Sequence, residues 1–183
     1  MSVGEVLRLA TEYLAGKGVE SPRLDAEHLL GKALGRSRVQ LYMEHDRPLS
    51  GPERDVFREL IRRRGEREPL AYVLGEWGFR RLTLATDRRA LVPRPETEVL
   101  VERCLALLDG VPNPRVLDVG AGTGAIALAI ADEHPGARVT AIDVSPEALE
   151  LARENIARTG VVVELVEQDL TGGLGDAEYD LVV

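Results

Sequence analysis

Apolar positions in the first 65 residues recur at three- and four-residue intervals, the period of a helix with one buried face. Val6, Leu7, Leu9, Ala10, Tyr13 and Leu14 form the first such stripe. It follows Ser2-x-x-Glu5, a capping-box pattern in which the two residues satisfy each other's free backbone N–H groups. Gly16 and Gly18 stop that helix. Ser21-Pro22 opens a second, with proline at the position where its missing N–H costs nothing. Ala26, Leu29, Leu30, Ala33 and Leu34 make its stripe, and Gly35 ends it. Ser37 opens a short third helix through Leu41 and Tyr42. Ser50-Gly51-Pro52-Glu53 repeats the capping box ahead of Val56, Phe57, Leu60 and Ile61, with Gly65 past the end. The spacing predicts a small helical bundle over residues 1–68.

The pattern then changes. In Glu68-Pro69-Leu70-Ala71-Tyr72-Val73-Leu74-Gly75-Glu76-Trp77-Gly78-Phe79 the helical period is lost, and Leu82 and Leu84 alternate with polar residues. Ala90-Leu91-Val92 reads as a second short strand, with Thr86-Asp87 and the following arginines as the turn. Residues 69–95 therefore read as a β-hairpin linker between two domains, with Trp77 and Phe79 read as its core ahead of a substrate contact. Pro93-Arg94-Pro95 ends it, and Glu96-Thr97-Glu98 begins a helix carrying Val99, Leu100, Leu105 and Leu108. Acidic residues suit that first turn because the helix dipole favours them.

From Arg115 onward strand and helix patterns alternate, which predicts a parallel sheet. The strands are read at Arg115–Val119, Arg138–Asp143, Val161–Val166 and, after a Gly-rich loop, Tyr179–Val183. Helices are expected from about Gly124 to Glu133 and from about Pro146 to Arg158. The fold class is α/β: a Rossmann-like sheet over residues 96–183, truncated after its fourth strand, preceded by the helical bundle and the hairpin. An apolar strand with no turn, cap or polar tail after it reads as the cut edge of a longer chain. Taken alone, 183 residues are expected to leave the fourth strand as an unpaired sheet edge. Weak stability or self-association, and no turnover, would follow.

Composition narrows the function classes. The chain carries a net charge of −8, with 44% hydrophobic and 30% charged residues, values of a globular protein. Residues 1–75 hold 13 Lys+Arg against 12 Asp+Glu; residues 76–183 hold 10 against 19. No basic face for nucleic acid is expected. Arg62, Arg63, Arg64 and Arg67 form a small basic cluster, read either as a solvated helix face or as a contact for an acidic partner. No apolar run is long enough to predict a membrane span. Cys104 is the single cysteine, so no internal disulfide is possible, and a reducing cytoplasm fits. It reads as a small buried residue. His28, His45 and His134 are too scattered to read as a metal set.

The chemistry concentrates at Leu117-Asp118-Val119-Gly120-Ala121-Gly122-Thr123-Gly124. Glycines there let the backbone turn tightly and approach a ligand, and the helix that follows points its N–H groups at it. Asp143 stands at the end of the next strand, where an acidic residue accepts hydrogen bonds from both ribose hydroxyls. Its other reading is a helix cap, a role that Ser145 fills better. The third glycine comes too early for the dinucleotide fingerprint G-x-G-x-x-G, and Asp118 sits inside the strand end. This loop pattern, and as a second feature Asp169, favour S-adenosylmethionine over a nicotinamide. Asp169, just past the third strand, reads either as a loop residue or as a partner for an adenine amino group.

Taken together, the helical N-terminus, residues 68–79, Leu91-Val-Pro-Arg-Pro-Glu-Thr-Glu98 and the glycine loop through Ala127 resemble the HemK-type release factor glutamine methyltransferases. The resemblance covers essentially the whole chain. It implies a helical substrate-recognition domain joined by a hairpin to a seven-stranded methyltransferase sheet. It also implies transfer of a methyl group from S-adenosylmethionine to the side-chain amide of the glutamine in the Gly-Gly-Gln motif of peptide chain release factors. On the same basis Gly120, Ala121, Gly122, Thr123 and Gly124 would line the methionine end of the cofactor, Asp143 the ribose, and Asp169 and Leu170 the adenine. Arg94, Glu96 and Thr97 read equally as the mouth of the cofactor pocket or as a strand end and helix cap. The family's catalytic signature, Asn-Pro-Pro-Tyr directly after the fourth strand, is not among these 183 residues. No catalytic residue is therefore assigned. The reaction demands alignment of a weak amide nucleophile more than acid–base chemistry, so no base is assigned either. Alternatives are a glutamine methyltransferase for a ribosomal protein, a nicotinamide oxidoreductase, and a non-catalytic module whose bundle docks a partner.

Overall fold

The computed structural model describes residues 1–173 and 178–183. Contacts divide the chain into two units, Met1–Leu74 and Gly75–Val183.

The first unit is helical: α1 (Val3–Gly16), α2 (Pro22–Leu34), α3 (Arg38–Met43), α4 (Gly51–Gly65) and a single short turn, α5 (Leu70–Leu74). Three helices begin with complete capping boxes, Ser2 with Glu5, Ser37 with Gln40 and Ser50 with Glu53. Ser21 caps α2 by position only, without a side-chain bond. Leu14, Leu29, Leu30, Leu41 and Phe57 fill the core between them. Ala33 and Leu34, expected in the buried stripe, are only partly buried at its edge. Ser50→Ala should cost about 1 kcal/mol of stability, read as a lowered midpoint in urea unfolding. Ser21→Ala should cost clearly less, since no side-chain bond is lost there.

The basic cluster of α4 is used within this unit. Arg62 pairs with Glu59 and Glu66, Arg63 with Glu68, and Arg64 with the buried Asp25. Arg67 donates to the Gly18 carbonyl.

Residues 69–95 differ from the expected linker. Pro69 starts α5: its carbonyl accepts from Tyr72 and Val73 N–H, and Ala71 and Val73 turn inward. The hairpin comes after, with β1 (Glu76–Phe79) antiparallel to β2 (Leu82–Ala85) and Phe79 opposite Leu82. Its turn is Arg80-Arg81 rather than Thr86-Asp87, and Arg80 takes a positive φ of 50°. Ala90–Val92 is not a strand. Asp87 instead folds back to accept from the Arg89 backbone and guanidinium, which coils the segment before Pro93. The hairpin is an integral part of the second unit. Phe79 and Leu84 are in its core, Arg80 pairs with Glu133, and Arg158 pairs with Glu76. Trp77 is half-buried.

After α6 (Pro95–Leu107), a parallel sheet builds from β3 (Arg115–Val119), β4 (Arg138–Asp143), β5 (Glu164–Glu167) and β6 (Leu181–Val182). The strand order is β5-β4-β3-β6. Helices α7 (Ala125–Glu133) and α8 (Pro146–Thr159) connect the first three. The third strand starts three residues later than its apolar run suggests. Gly160 ends α8 in the left-handed region, and Val161 N–H bonds back to the Thr159 hydroxyl, so the run begins as a connector. Part of the Gly-rich loop before β6, residues 174–177, lies outside the described residues. The last strand is pinned by side chain and backbone together. Asp180 accepts from Arg115 N–H at 2.7 Å, and Val183 N–H donates to Leu117. Val116, Leu117, Ala141 and Ile130 are essentially inaccessible at the centre of this unit. Cys104 is buried on α6, and burial, with the Asp118 charge adding to it, pushes its thiol up.

Candidate functional site

The carboxyl ends of β3, β4 and β5 form a cleft of about 280 Å³. Val119, Gly120, Ile142, Asp143, Val144, Gln168, Asp169 and Leu170 line it. In an open parallel sheet such a crevice, beside the strand from which the order runs both ways, is where ligands bind. Here that strand is β3, with β4 on one side and β6 on the other.

The chain leaves β3 by a clamp on β4: the N–H groups of Gly120 and Ala121 both donate to the Ile142 carbonyl, at 2.8 and 2.9 Å. Gly120, Gly122 and Gly124 then take φ values of 84°, 55° and 79°. Residues with a Cβ avoid that region, so the alternating glycines are what permit this path. The loop closes on itself with Gly124 N–H donating to Ala121 at 2.7 Å, and Leu128 N–H to Gly124 begins α7.

Two carboxylates hold the loop. Asp143 accepts from Gly122 N–H at 2.8 Å through one oxygen and from Ser145 N–H at 2.9 Å through the other. It thereby ties the glycine loop to the start of α8 while remaining half-buried at the cleft. The helix cap belongs to Ser145, whose hydroxyl accepts from Ala148 N–H. Asp118 is 2% exposed and accepts from Ala127 N–H at 3.1 Å. Burial pushes its carboxyl up to about 6 and the Asp143 charge adds to that, against the opposing pull of the Ala127 N–H.

Asp169 is exposed at the rim and caps the 3-10 turn Leu170–Gly172, accepting from the Thr171 hydroxyl and backbone at 2.7 and 2.8 Å. Those bonds hold its carboxyl below the usual range. Leu170 beside it is half exposed. Gln168 N–H donates to the Asp143 carbonyl, which fixes the spacing of the two rims.

The structure thus brings Gly120, Asp143, Asp169 and Leu170 to one cleft. Ala121, Gly122, Thr123 and Gly124 are not among its lining residues: Ala121, Thr123 and Gly124 are buried, with the loop folded back on α7. Arg94, Glu96 and Thr97 are at the first turn of α6, also outside the lining, where Thr97 N–H bonds to Arg94. Sequence reasoning missed Asn155. It is fully buried on α8 and bonds to Ala85 and Thr123. The available signal was a polar residue in register with the apolar stripe of Ala148, Leu151 and Ala152. Among the described residues no group of three His, Cys, Asp or Glu side chains is placed to hold a metal. No helix among them is long and apolar enough to cross a membrane.

Comparison with known proteins agrees along the whole chain. Residues 5–75 match the PrmC N-terminal domain and residues 96–183 the methyltransferase small domain. A release factor glutamine methyltransferase of Chlorobaculum tepidum is 42% identical over 193 residues, and one of Deinococcus radiodurans is 46% identical over 186. Each match covers 100% of this chain, and the chain spans 66% of either relative's length. A tRNA (uracil-54, C5)-methyltransferase of Pyrococcus abyssi superposes with a TM-score of 0.50 at 18% identity, over 58% of this chain and 26% of its own. That likeness concerns the fold alone. With both domain families matched in order, and relatives of one kind aligned along the full length of this chain, the chain belongs to the HemK-type release factor glutamine methyltransferase family.

Proposed function

We propose that this chain binds S-adenosylmethionine at the cleft above β3, β4 and β5, as part of an enzyme that methylates the glutamine side-chain amide of the Gly-Gly-Gln motif in peptide chain release factors. The observation that carries the reading is Asp143. Each of its oxygens accepts one backbone N–H and keeps lone-pair capacity toward the cleft, which suits the two vicinal hydroxyls of a ribose. The surroundings fit the rest of the molecule. A Cβ built on Gly120 would meet no atom within 4 Å, so the backbone there borders open space. Asp169 offers a carboxylate acceptor for an adenine amino group, with Leu170 as an apolar neighbour for its ring.

When bound, the cofactor supplies a methyl on a sulfonium that departs as a neutral thioether. The part of this chain in the reaction is to bind and orient. Asp143 and Asp169 fix the nucleoside at its two polar ends, and Gly120, where the glycine loop begins, forms part of the wall between them. The domain reading proposed for the chain gives residues 1–68 recognition of the release factor. The relatives' names are the support for that acceptor, and nothing in the cleft favours a ribosomal protein or a nicotinamide instead.

Calorimetry on this chain should give a binding isotherm with S-adenosylhomocysteine and no heat with NAD. Binding of NAD alone would replace this reading with an oxidoreductase. For the acceptor, the enzyme carrying this chain should add one methyl group to the Gly-Gly-Gln peptide of a purified release factor, read by mass spectrometry. Methylation of a ribosomal protein only would defeat the assignment.

A further inference from the structure

We propose that Asn155 is a positioning residue for the cofactor loop, linking the hairpin to the glycine turn. The inference rests on the reading of that loop as part of the S-adenosylmethionine site.

In a continuing helix the Thr123 carbonyl would accept from the N–H four residues on, that of Ala127. Here the Ala127 N–H is taken by Asp118. The swap lets the loop leave helical register, with Gly122 and Gly124 both in the left-handed region. It also leaves the buried Thr123 carbonyl in need of another donor, since an unpaired buried carbonyl is costly. Asn155 Nδ2 supplies it at 2.9 Å. The same amide spans to β2: Nδ2 donates to the Ala85 carbonyl at 3.1 Å, and Oδ1 accepts from Ala85 N–H at 2.6 Å. With one backbone donor and two carbonyls around it, the amide is used at both ends in a single orientation. Asn155 has zero exposure, so water cannot substitute.

Three elements, α8, β2 and the glycine loop, therefore meet on one side chain. Asp118 and Asn155 act as a pair, one taking the helix donor and the other the loop acceptor. The loop conformation that borders the cleft depends on both.

The test is Asn155→Asp, which keeps the shape and the acceptor for Ala85 N–H but turns a carboxylate toward two carbonyls. At pH 8 the folded variant should bind S-adenosylhomocysteine at least about tenfold more weakly, the effect of about one net hydrogen bond. Affinity should recover in part as pH falls, because the protonated acid regains one donor for the two carbonyls that the amide served. A bystander role in stability would not produce that pH profile. A folded variant with wild-type affinity across pH would overturn the proposal. In the wild type, titrating S-adenosylhomocysteine should shift the Asn155 side-chain amide resonances. An unmoved pair would also overturn it, and this measurement does not require the variant to fold. If the wild type does not bind S-adenosylhomocysteine, the cofactor reading fails separately. Hydrogen exchange then decides for Asn155. Faster exchange at the Gly124 amide in Asn155→Asp supports the link, and exchange unchanged from wild type removes it.

Discussion

Gly124→Ala is expected to destabilise the second unit by about 2–5 kcal/mol and to weaken S-adenosylhomocysteine binding with it. Two costs combine. Gly124 has φ of 79°, where a residue with a Cβ pays about 1–2 kcal/mol. The new methyl would also lie 3.3 Å from Leu128 Cδ1 and 3.4 Å from Ala152 Cβ, in a packed core where added volume costs about 1–3 kcal/mol. Gly35→Ala separates the two costs. Its φ of 62° is similarly left-handed, but no atom lies within 4 Å of the added carbon. It should therefore lose only the conformational part. Urea unfolding of the two variants measures the difference, and equal losses would show that crowding at Gly124 is relieved by movement of Leu128.

Asp118→Asn should flatten the stability profile between about pH 4 and pH 6 and raise stability at pH 7. The folded protein holds the Asp118 proton up to about pH 6, whereas an exposed aspartate releases it near 3.8. This group thus favours folding fully below the lower value, and that contribution is lost as pH rises through the higher one. The difference is worth about 3 kcal/mol at neutral pH. An asparagine oxygen can still accept from Ala127 N–H and carries no charge to desolvate. Chemical denaturation of both proteins from pH 4 to pH 8 reads the effect as a gap that opens with pH, and parallel curves would remove the assignment. Glu27 and Glu53, both held down at about 2, act in the opposite sense and in a lower window. Their contribution is lost as pH falls from about 4.5 toward 2, so it does not mask the Asp118 effect.

The helices and the first two strands of the parallel sheet were legible because their signals are local. Capping boxes at Ser2 and Ser50 and the branched runs Arg115–Val119 and Arg138–Asp143 depend on near neighbours. The position of the hairpin turn is not legible because that turn has no sequence marker: Arg80 adopts a positive φ that its long-range bonds to Glu133 and Glu98 support. Residues 70–74 lost their helical period only because the turn is too short to show one. At the site, Asp143 and Asp169 were visible from their places after strands. The inward folding of Ala121 and Thr123 was not, since it depends on Asp118 and Asn155 taking partners that a regular helix would have paired. A buried asparagine reads in sequence like any polar helical residue until its neighbours are known.

The strand order has a consequence for how this unit is made on the ribosome. β3 is the first strand of the parallel sheet to be synthesised and becomes an inner strand, with β4 added beside it and β5 beyond β4. Its other edge must wait for Leu181–Val182, more than sixty residues later. During that interval β3 presents a bare row of amide and carbonyl groups, open to pairing with a second nascent chain. The ordering of the sheet in space thus sets a vulnerable period in time, closed when Asp180 locks onto Arg115 and brings β6 into register.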